Sequence, residues 1–514
     1  MIQIGQDREN VVELLKNLDE SRINSSDYSG DPEASGRMAK ANQAKLSALN
    51  NIKNIYNASD GRIYVEIKLG EHNELISTDS KTFEYWLIYL FELTSQGKML
   101  SKTDVKTVIS SINSTGHFRG KKVDVYLRIA EVDEKIYLDL CNDKRQVLEI
   151  DKEGFRVLDE SPVLFKRTDD MAELPIPKYE KNLDYLKLGD YLNVKDLDDL
   201  NMIVSFILAS FRPAIPKPIL NLTGEAGTGK SVNSRIIRNF IDPAKQKDLL
   251  KKEIDAKELP GAANSQYLLA FDNLSGISKE GSDLLCVVST GGVMTTRKLY
   301  TDTDEIIIDL KKTVILNGID DISKRQDLVS RTVFIETPKL HSSKKKTEEE
   351  IWKAFNQDYP YILGSLVNAV STGLKNKGID RTPYARMQDY GRFISDCSMA
   401  LDWESGYWQE IYPKNQNAGI SQSIESDPFA AALVELMEGM KSDNLHEWTG
   451  TATELLNELA SKLPQEDTTY NRAWPKANQV KSRLRRISPL IDNRGISWED
   501  KRSNGKNLIH VLIE

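Results

Sequence analysis

The sequence predicts an α/β protein with a central sheet, an α+β domain before it and a winged-helix domain after it. A glycine-rich loop joins an apolar strand to a helix near the middle of the chain, and further strands follow it. The C-terminal part has two helices and then a β-hairpin. We therefore predict a polar helical segment at 1–60, an α+β domain at 61–180, the core at 181–410 and the winged-helix domain at 411–514.

The composition excludes several classes of protein. Of 514 residues, 39% are hydrophobic and 28% charged, as in a globular protein of about three domains. No apolar run could cross a membrane, and the N-terminus lacks the apolar core of a secretory signal. Three scattered cysteines suggest neither disulfides nor a zinc site. We expect a cytoplasmic protein without a membrane partner. The net charge of −8 argues against a generally basic surface but permits local basic sites.

The N-terminal part changes character along its length. A helix is predicted at 9–18, within the polar segment. Beyond Arg62 the periodicity predicts a strand and two helices, and then four short apolar runs separated by polar turns, which favour an antiparallel meander. A pair of prolines at 175 and 177 marks the boundary with the core. The predicted elements are the strand 63–67, the helices 81–94 and 102–113, and the runs 123–130, 135–140, 146–150 and 155–158.

The central motif is a complete G-x-x-x-x-G-K-[ST] loop between an apolar strand at 218–222 and a helix at 232–240. Glycines let backbone N–H groups converge on phosphates at a helix N-terminus. We expect Lys230 to reach the β- and γ-phosphates and Ser231 to bind Mg²⁺, so that ATP and Mg²⁺ are the implied ligands. The alternative is a glycine-rich turn without a ligand. The loop residues are Gly224, Glu225, Ala226, Gly227, Thr228, Gly229, Lys230 and Ser231.

Two later strands end in polar residues that would complete the site. The strand 266–272 ends in Asp272, which we expect to bind Mg²⁺ together with Ser231. Asn273 follows, where many ATPases have an acid, so the residue that orients the attacking water stays open. The strand 312–318 carries Asn317 near its carboxyl end, where ligands of parallel sheets bind. A solvated acid at the end of a strand is the alternative for Asp272.

The region 269–338 resembles the AAA+ core of replication helicases carried by phages, satellites and other mobile elements. The similarity extends from about residue 126 to the C-terminus and includes self-loading helicases of staphylococcal islands and cassettes, near the superfamily III and MCM-type helicases. Residues 1 to about 115 show no such resemblance. The segments that carry it are FDNLSGIS at 271–278, SDLLCVVSTGG at 282–292, RKLYTDTDE at 297–305, VILNGI at 314–319 and DLVSR at 327–331.

The resemblance implies roles for several residues. Asn317 occupies the sensor-1 position, and Arg331 resembles the arginine finger that such ATPases insert into the neighbouring subunit, with Arg325 as second choice. A finger that acts across an interface implies a homo-oligomer, and we expect a hexamer. Arg297 and Lys298 lie where related ring helicases have a pore hairpin that holds single-stranded DNA. An exposed hairpin or a surface arginine without these roles is the alternative.

The C-terminal part of the sequence gives separate evidence for DNA binding. Thr451 and Glu454 have the spacing of a capping box, and a basic helix is predicted at 474–487. Strands at 495–499 and 507–513, joined by a basic turn, complete the pattern of a winged helix. A solvated basic face is the alternative. The candidate DNA contacts on the helix are Lys481, Arg483, Arg485 and Arg486.

These observations favour an ATP-driven ring helicase that acts on single-stranded or forked DNA during replication of a mobile element, with possible replication or initiator proteins as partners. An AAA+ switch, loader or anti-phage defence ATPase that remodels protein–DNA complexes without unwinding is the alternative. A DNA-binding initiator whose ATPase only regulates assembly is a third possibility.

Overall fold

The structure is a computed structural model. It describes residues 32–69, 72–95, 97–180, 184–246, 249–250, 254–256, 258–274, 276–297, 305–318, 326–340, 346–380, 382–384, 386–463, 474–503 and 506–514. The predicted helix at 9–18, Lys298 and Arg325 lie outside these ranges. The chain divides into two compact units. The first takes in 1–149, 156–174 and 293–309, and the second takes in 150–155, 175–292 and 310–514.

In the first unit, three helices cover a four-stranded sheet with the strand order β3-β2-β1-β4. The helix predicted at 81–94 is confirmed, and the next continues to Arg119 beyond the predicted 113. Residues 52–58, which we assigned to a helical segment, form a strand instead, because Ile52 and Ile55 are buried in the sheet core. The elements are α1 Pro32–Asn51, β1 Ile52–Ala58, β2 Ile63–Leu69, β3 His72–Ser77, α2 Lys81–Thr94, α3 Lys102–Arg119 and β4 Lys121–Val123.

A second four-stranded sheet has its strands in sequence order, as the predicted meander requires. The single strand predicted at 123–130 is wrong, since the run is divided among β4, β5 and β6. Arg128 lies between the last two with φ 66°. Its buried guanidinium donates to the carbonyls of Asp139 and Ala172, which explains why a charged residue interrupts the run. The strands are β5 Val125–Tyr126, β6 Ile129–Val132, β7 Lys135–Asp139, β8 Val147–Asp151, β9 Gly154–Leu158 and β10 Leu164–Phe165.

A four-stranded parallel sheet forms the centre of the second unit, with the order β12-β15-β11-β16. All strands predicted around the glycine loop are confirmed within a few residues. Helix α4 is buried along its whole length after Asp199, which makes it the central helix of the unit. The elements are α4 Leu197–Ser210, β11 Ile219–Thr223, α5 Lys230–Ile241, α6 Leu259–Ser265, β12 Leu268–Leu274, α7 Lys279–Thr290, β15 Thr313–Gly318, α8 Gln326–Val329 and β16 Thr332–Glu336. The antiparallel hairpin β13 Val293–Arg297 and β14 Glu305–Asp309 precedes β15.

Three helices follow the sheet: α9 Glu348–Lys375, α10 Gln388–Cys397 and α11 Tyr407–Glu425. We expected a turn-rich boundary at 412–419, but this stretch lies inside α11. Asn415 accepts from the N–H of Phe334 at 3.0 Å and donates to its carbonyl at 2.7 Å. Gln416 donates to the carbonyl of Thr332. The polar residues of this helix thus provide hydrogen-bond partners for backbone groups of the edge strand β16. No helix in the described part of the chain is long and apolar enough to cross a membrane.

The C-terminal elements form three helices around an antiparallel sheet with the order β17-β19-β18. The predicted capping box is confirmed, because Thr451 Oγ1 accepts from Glu454 N and Glu454 accepts from Thr451 N. The basic helix begins at Val480, later than the predicted 474, and the hairpin strands extend further into the predicted turn. The elements are α12 Pro428–Ser442, β17 Glu447–Gly450, α13 Ala452–Ala460, α14 Val480–Ile491, β18 Ile496–Ser503 and β19 Lys506–Ile513.

We expect His510 to make the stability of this sheet dependent on pH. Its ring lies 3.0 Å from Glu499 and 2.8 Å from Glu447, and hydrogen bonds to Glu499 and then Glu447 raise its pKa above 6.5. Only the cation donates from both ring nitrogens. Because the folded pKa exceeds the unfolded one, the stabilisation is complete below the unfolded pKa and is lost as pH rises through the folded pKa. We expect the unfolding temperature to fall between about pH 6 and pH 9 by more in the wild type than in His510→Gln. Parallel curves for the two proteins would contradict this.

Candidate nucleotide site and basic surfaces

The glycine loop has the backbone of a phosphate-binding loop. It begins where β11 ends, and α5 begins at Lys230. Gly227 and Gly229 have φ values of 80° and 87°, a region that side chains with a Cβ rarely adopt. At Gly224 a Cβ would meet Thr337 Oγ1 at 2.5 Å, so this position must be glycine for steric reasons as well. The start of α5 after this loop is therefore the kind of helix N-terminus at which anions bind in other proteins.

Two residues that the sequence analysis missed hold the loop in place. Asn193 Nδ2 donates to the carbonyls of Thr228 at 2.8 Å and Pro338 at 2.6 Å. Thr337 Oγ1 lies 3.0 Å from Thr228 Oγ1 and donates to the carbonyl of Thr223 at 2.7 Å. The loop is thus tied to segments before and after the sheet. Neither residue belongs to a local motif, so no sequence pattern marks it.

Lys230 is buried against its own loop. Its Nζ donates to the carbonyls of Gly224 at 2.7 Å and Glu225 at 2.8 Å. Burial lowers the pKa of the ammonium group, and the charge of Asp272 opposes that effect. A partly desolvated cation binds phosphate oxygens more strongly than a hydrated one, since it has less water to lose.

The structure brings Ser231, Asp272 and Asn317 together, as the sequence predicted for the ends of neighbouring strands. Ser231 Oγ donates to the Asp272 carboxylate, with distances of 3.1 and 3.0 Å to its two oxygens. Asn317 Nδ2 donates to the same hydroxyl at 3.3 Å, and its side chain is buried. A hydroxyl and a carboxylate are oxygen donors of the kind Mg²⁺ prefers, and phosphates and water supply its remaining ligands in such sites. The residues present therefore fit a magnesium ion.

Asn273 has a conformation that explains its identity. It has φ 56°, and the pairing of β12 with β15 is irregular between Phe271 and Leu274. Asparagine tolerates this left-handed region better than most residues. Its amide lines the cleft and can hydrogen-bond a water molecule, but it cannot accept a proton as a carboxylate would.

A cleft of about 630 Å³ contains this site. Besides the loop, it is lined by Val232, Arg235, Asp272, Asn273, Asn317, Gly318 and Glu348. Among the described residues, no group of three or more His, Cys, Asp or Glu side chains could hold a metal alone.

Arg331 lies near the amino ends of the parallel strands, whereas this cleft lies at their carboxyl ends. Its carbonyl accepts from Ile219 N at the amino end of β11, whereas the loop begins at the carboxyl end of that strand. The five residues of β11 separate its two ends by roughly 15 Å. Arg331 Nη1 donates to the carbonyl of Asp327 at 2.5 Å, and the side chain is 16% exposed. Arg331 therefore cannot reach the loop of its own chain.

The candidate DNA contacts differ in their surroundings. Arg297 ends β13 of the predicted hairpin, while Lys298 lies outside the described residues. On α14, Arg485 and Arg486 are exposed.

Acidic side chains lie near three of the four candidate cations on α14. Lys481 pairs with Asp500 at 2.6 Å, and the exposed Arg485 lies 4.0 Å from the same carboxylate. Arg483 donates to Asp427 at 2.5 Å, and Asp427 also caps α12. Arg483 thus has a structural contact that the sequence did not indicate.

The fold and the site define a mixed α/β protein with a glycine-rich loop at the end of a strand of a parallel sheet. A family model described as "Actinomycete integrative conjugative element replication protein" matches residues 186–406, and "AICE RepA C-terminal domain" matches 429–513. The central and C-terminal parts of the chain are therefore similar to replication proteins of conjugative elements. The predicted resemblance to replication proteins of mobile elements is confirmed.

The comparison with solved structures finds two further proteins to which the chain is distantly similar. "SCCmec type IV Cch - active helicase" is 13% identical, with 90% of this chain and 94% of that chain covered and a TM-score of 0.47. "The A form apo structure of NrS-1 C terminal region-CTR" is also 13% identical, with 92% and 98% covered and a TM-score of 0.38. No curated protein matches the sequence.

Proposed function

We propose that this replication protein is an ATP-hydrolysing DNA helicase with an AAA+ core, which unwinds the DNA of a mobile element as it replicates. The observation that carries the proposal is the convergence of Ser231, Asp272 and Asn317 beside Lys230 in a glycine-loop cleft. A replication protein with a triphosphate site has ATP as the source of work for strand separation.

The side chains divide the chemistry among them. Lys230 would leave the loop carbonyls to bind the β- and γ-phosphates of ATP. The N–H groups of the loop would bind the remaining phosphate oxygens. Ser231 and Asp272 would hold Mg²⁺, which would neutralise charge on the phosphates. Asn317 fixes the Ser231 hydroxyl and orients the attacking water near the γ-phosphate, with Asn273 as a second amide at the same cleft.

A ring of subunits follows from the place of Arg331. Because Arg331 lies at the end of the strands opposite the glycine loop, it could stabilise transition-state charge only in the site of a neighbouring chain. We therefore propose a homo-oligomer, a hexamer, in which each ATP site lies at an interface. Arg331 would leave the Asp327 carbonyl when it enters the neighbouring site.

DNA would be held in two places. In the β13–β14 hairpin, Arg297 ends β13 and Lys298 follows it in the sequence, and we propose this hairpin as the pore element that pulls on single-stranded or forked DNA. The helices and sheet after α11 form a winged helix, in which α14 presents Arg485 and Arg486. Lys501 and Arg502 of the hairpin wing are exposed as well.

Substitutions should separate the two DNA-binding elements. Replacing Arg297 and Lys298 by alanine should leave DNA-independent ATP turnover intact and abolish unwinding, because hydrolysis no longer moves the strand. Replacing Arg485 and Arg486 should weaken DNA binding and reduce its salt dependence by about one to two released counterions. Salt-titrated binding and single-turnover unwinding measure both effects.

Two exposed lysines on another helix provide the control for this test. The exposed lysines Lys353 and Lys375 on α9 can be replaced together to test for a general loss of surface charge. Arg483 is unsuitable because its loss also disturbs Asp427. Unchanged salt dependence in the Arg485 and Arg486 variant would mean that the C-terminal unit does not contact DNA.

The second candidate is an AAA+ switch or loader, or a defence ATPase, that remodels protein–DNA complexes. It uses the same ATP site, and the exposed α14 cations would serve it equally for DNA capture. Such a protein would hydrolyse ATP without separating the strands of a fork, and the measurement of unwinding distinguishes the two.

A further inference from the structure

The last turn of α3 and the start of β4 form a basic and aromatic surface in the first unit. The residues at 117–122 are His, Phe, Arg, Gly, Lys and Lys, without an acid, in a chain of net charge −8. Phe118 is 82% exposed, so its ring lies outside the core between the helices and the sheet. Arg119, Lys121 and Lys122 are exposed, and none of them has an ion-pair partner within the described part of the chain. We call these four side chains the α3–β4 surface.

The backbone beneath the α3–β4 surface is held by contacts with the sheet. Asn57 Nδ2 donates to the carbonyl of His117 at 3.1 Å. A Cβ at Gly116 would lie 2.5 Å from Ile63 Cγ2, so α3 approaches the sheet more closely than a larger residue would permit. Lys122 is the register partner of Asn57 in the parallel pair of β4 and β1, which places both side chains on the face that α3 covers. The end of α3 and Lys122 therefore lie on the same side of the sheet.

An exposed phenyl ring among unpaired cations fits single-stranded DNA. The bases of a single strand are free to stack on an aromatic ring, whereas the bases of a duplex already stack on each other. The His117 ring lies edge-to-face against Phe118, with 5.0 Å between the ring centroids, and restricts the rotation of the phenyl ring. Cations beside such a ring can bind the phosphates next to a stacked base.

We propose that the α3–β4 surface is a third DNA-binding site, at which Phe118 stacks on a base of single-stranded DNA while the three cations bind the neighbouring phosphates. An acidic protein partner would explain the cations, but it offers no base for the phenyl ring. Lysines on an edge strand also prevent pairing with other sheets, which accounts for Lys121 and Lys122 but not for Phe118. The inference rests on the proposed DNA-binding function and adds a site to the two proposed above.

The experiment measures binding of the full chain to a fluorescent oligothymidylate and to a blunt duplex by fluorescence anisotropy. We expect Phe118→Ala to weaken binding of the single strand about fivefold or more, because a stacked base is lost, and to leave binding of the duplex unchanged. Phe118→Tyr should keep the wild-type affinity. Tyr89→Ala is the matched control, since Tyr89 is 62% exposed on α2 of the same unit and its loss should change neither affinity.

The salt dependence of single-strand binding tests the cations. Replacing Lys121 and Lys122 together by alanine should reduce it by about 1.4 released counterions, since each phosphate contact contributes about 0.7. Lys102 and Lys106 near the other end of α3 are also exposed, and their double replacement should leave the salt dependence unchanged. Arg119→Ala leaves the edge strand intact and should reduce the salt dependence by about 0.7, even where the lysine variant associates through that edge.

The outcomes separate this inference from the proposed function. If the wild type binds DNA and Phe118→Ala keeps the full affinity for the single strand, or weakens both DNAs equally, Phe118 does not stack on a base. Wild-type salt dependence in the Arg119 variant would show that these cations do not contact phosphates. Either result overturns the α3–β4 site and leaves the other two DNA-binding elements standing. If the wild type binds neither DNA, the proposed function fails first and this inference fails with it.

Discussion

Replacing Lys230 by alanine should reduce ATP turnover by about a hundredfold or more, since it removes the charge that the transferred phosphate needs. The side chain is buried against the loop carbonyls, so no neighbouring cation can take its place. The protein should still fold, because an alanine keeps the start of α5 helical. Steady-state hydrolysis at saturating ATP measures the effect.

Lys339 supplies the matched control for that substitution. It pairs with Glu225 of the same loop at 2.8 Å, but its side chain is 75% exposed. Lys339→Ala should therefore keep nearly all turnover, since exposed ion pairs contribute little. Wild-type turnover in Lys230→Ala would show that the glycine loop is not the catalytic site.

Replacing Arg331 by alanine should leave ATP affinity close to normal and cut turnover by about a hundredfold or more. An arginine that acts in the neighbouring site contributes little to binding in its own. Mixing this variant with Lys230→Ala should restore part of the activity, because some interfaces then combine an intact loop with an intact arginine. Turnover of the mixture, compared with each variant alone, is the measurement.

Arg386 provides the control for Arg331. It pairs with the same Asp327 side chain at 3.5 Å and is half exposed. Arg386→Ala should keep turnover, which would show that the loss in Arg331→Ala is not a disturbance around Asp327. If mixed oligomers form and remain inactive, Arg331 does not act across an interface.

The geometry of the candidate nucleotide site was predictable because it is local. The glycine spacing sets the loop, and short parallel strands bring Asp272 and Asn317 to the same edge. Periodicity and strand ends therefore sufficed. Asn193 and Thr337 act through contacts far along the chain, and a single sequence carries no signal for such contacts.

The helix α11 was not predictable from its composition. Its polar stretch resembled a loop because asparagine and glutamine are common in turns. Here Asn415 and Gln416 pair with the backbone of β16, and Gly419 lies against the Phe334 ring, where a Cβ would clash. Composition reports that a residue is polar but not whether its partner is water or a strand edge.

The basic helix α14 shows a similar limit. Four cations on one face predicted a single DNA surface, but the partners of Arg483 and Lys481 come from distant parts of the sequence. Only the fold shows that Asp427 holds Arg483 and that Asp500 pairs with Lys481, while Arg485, 4.0 Å from Asp500, and Arg486 stay exposed.

Strand separation on a forked duplex tests the central claim most directly. The account predicts that the wild type releases the displaced strand with ATP and Mg²⁺, and that Lys230→Ala or a non-hydrolysable ATP analogue stops the release while DNA stays bound. A wild-type protein that hydrolyses ATP on the fork and never separates the strands would contradict it, and would identify a switch or loader instead.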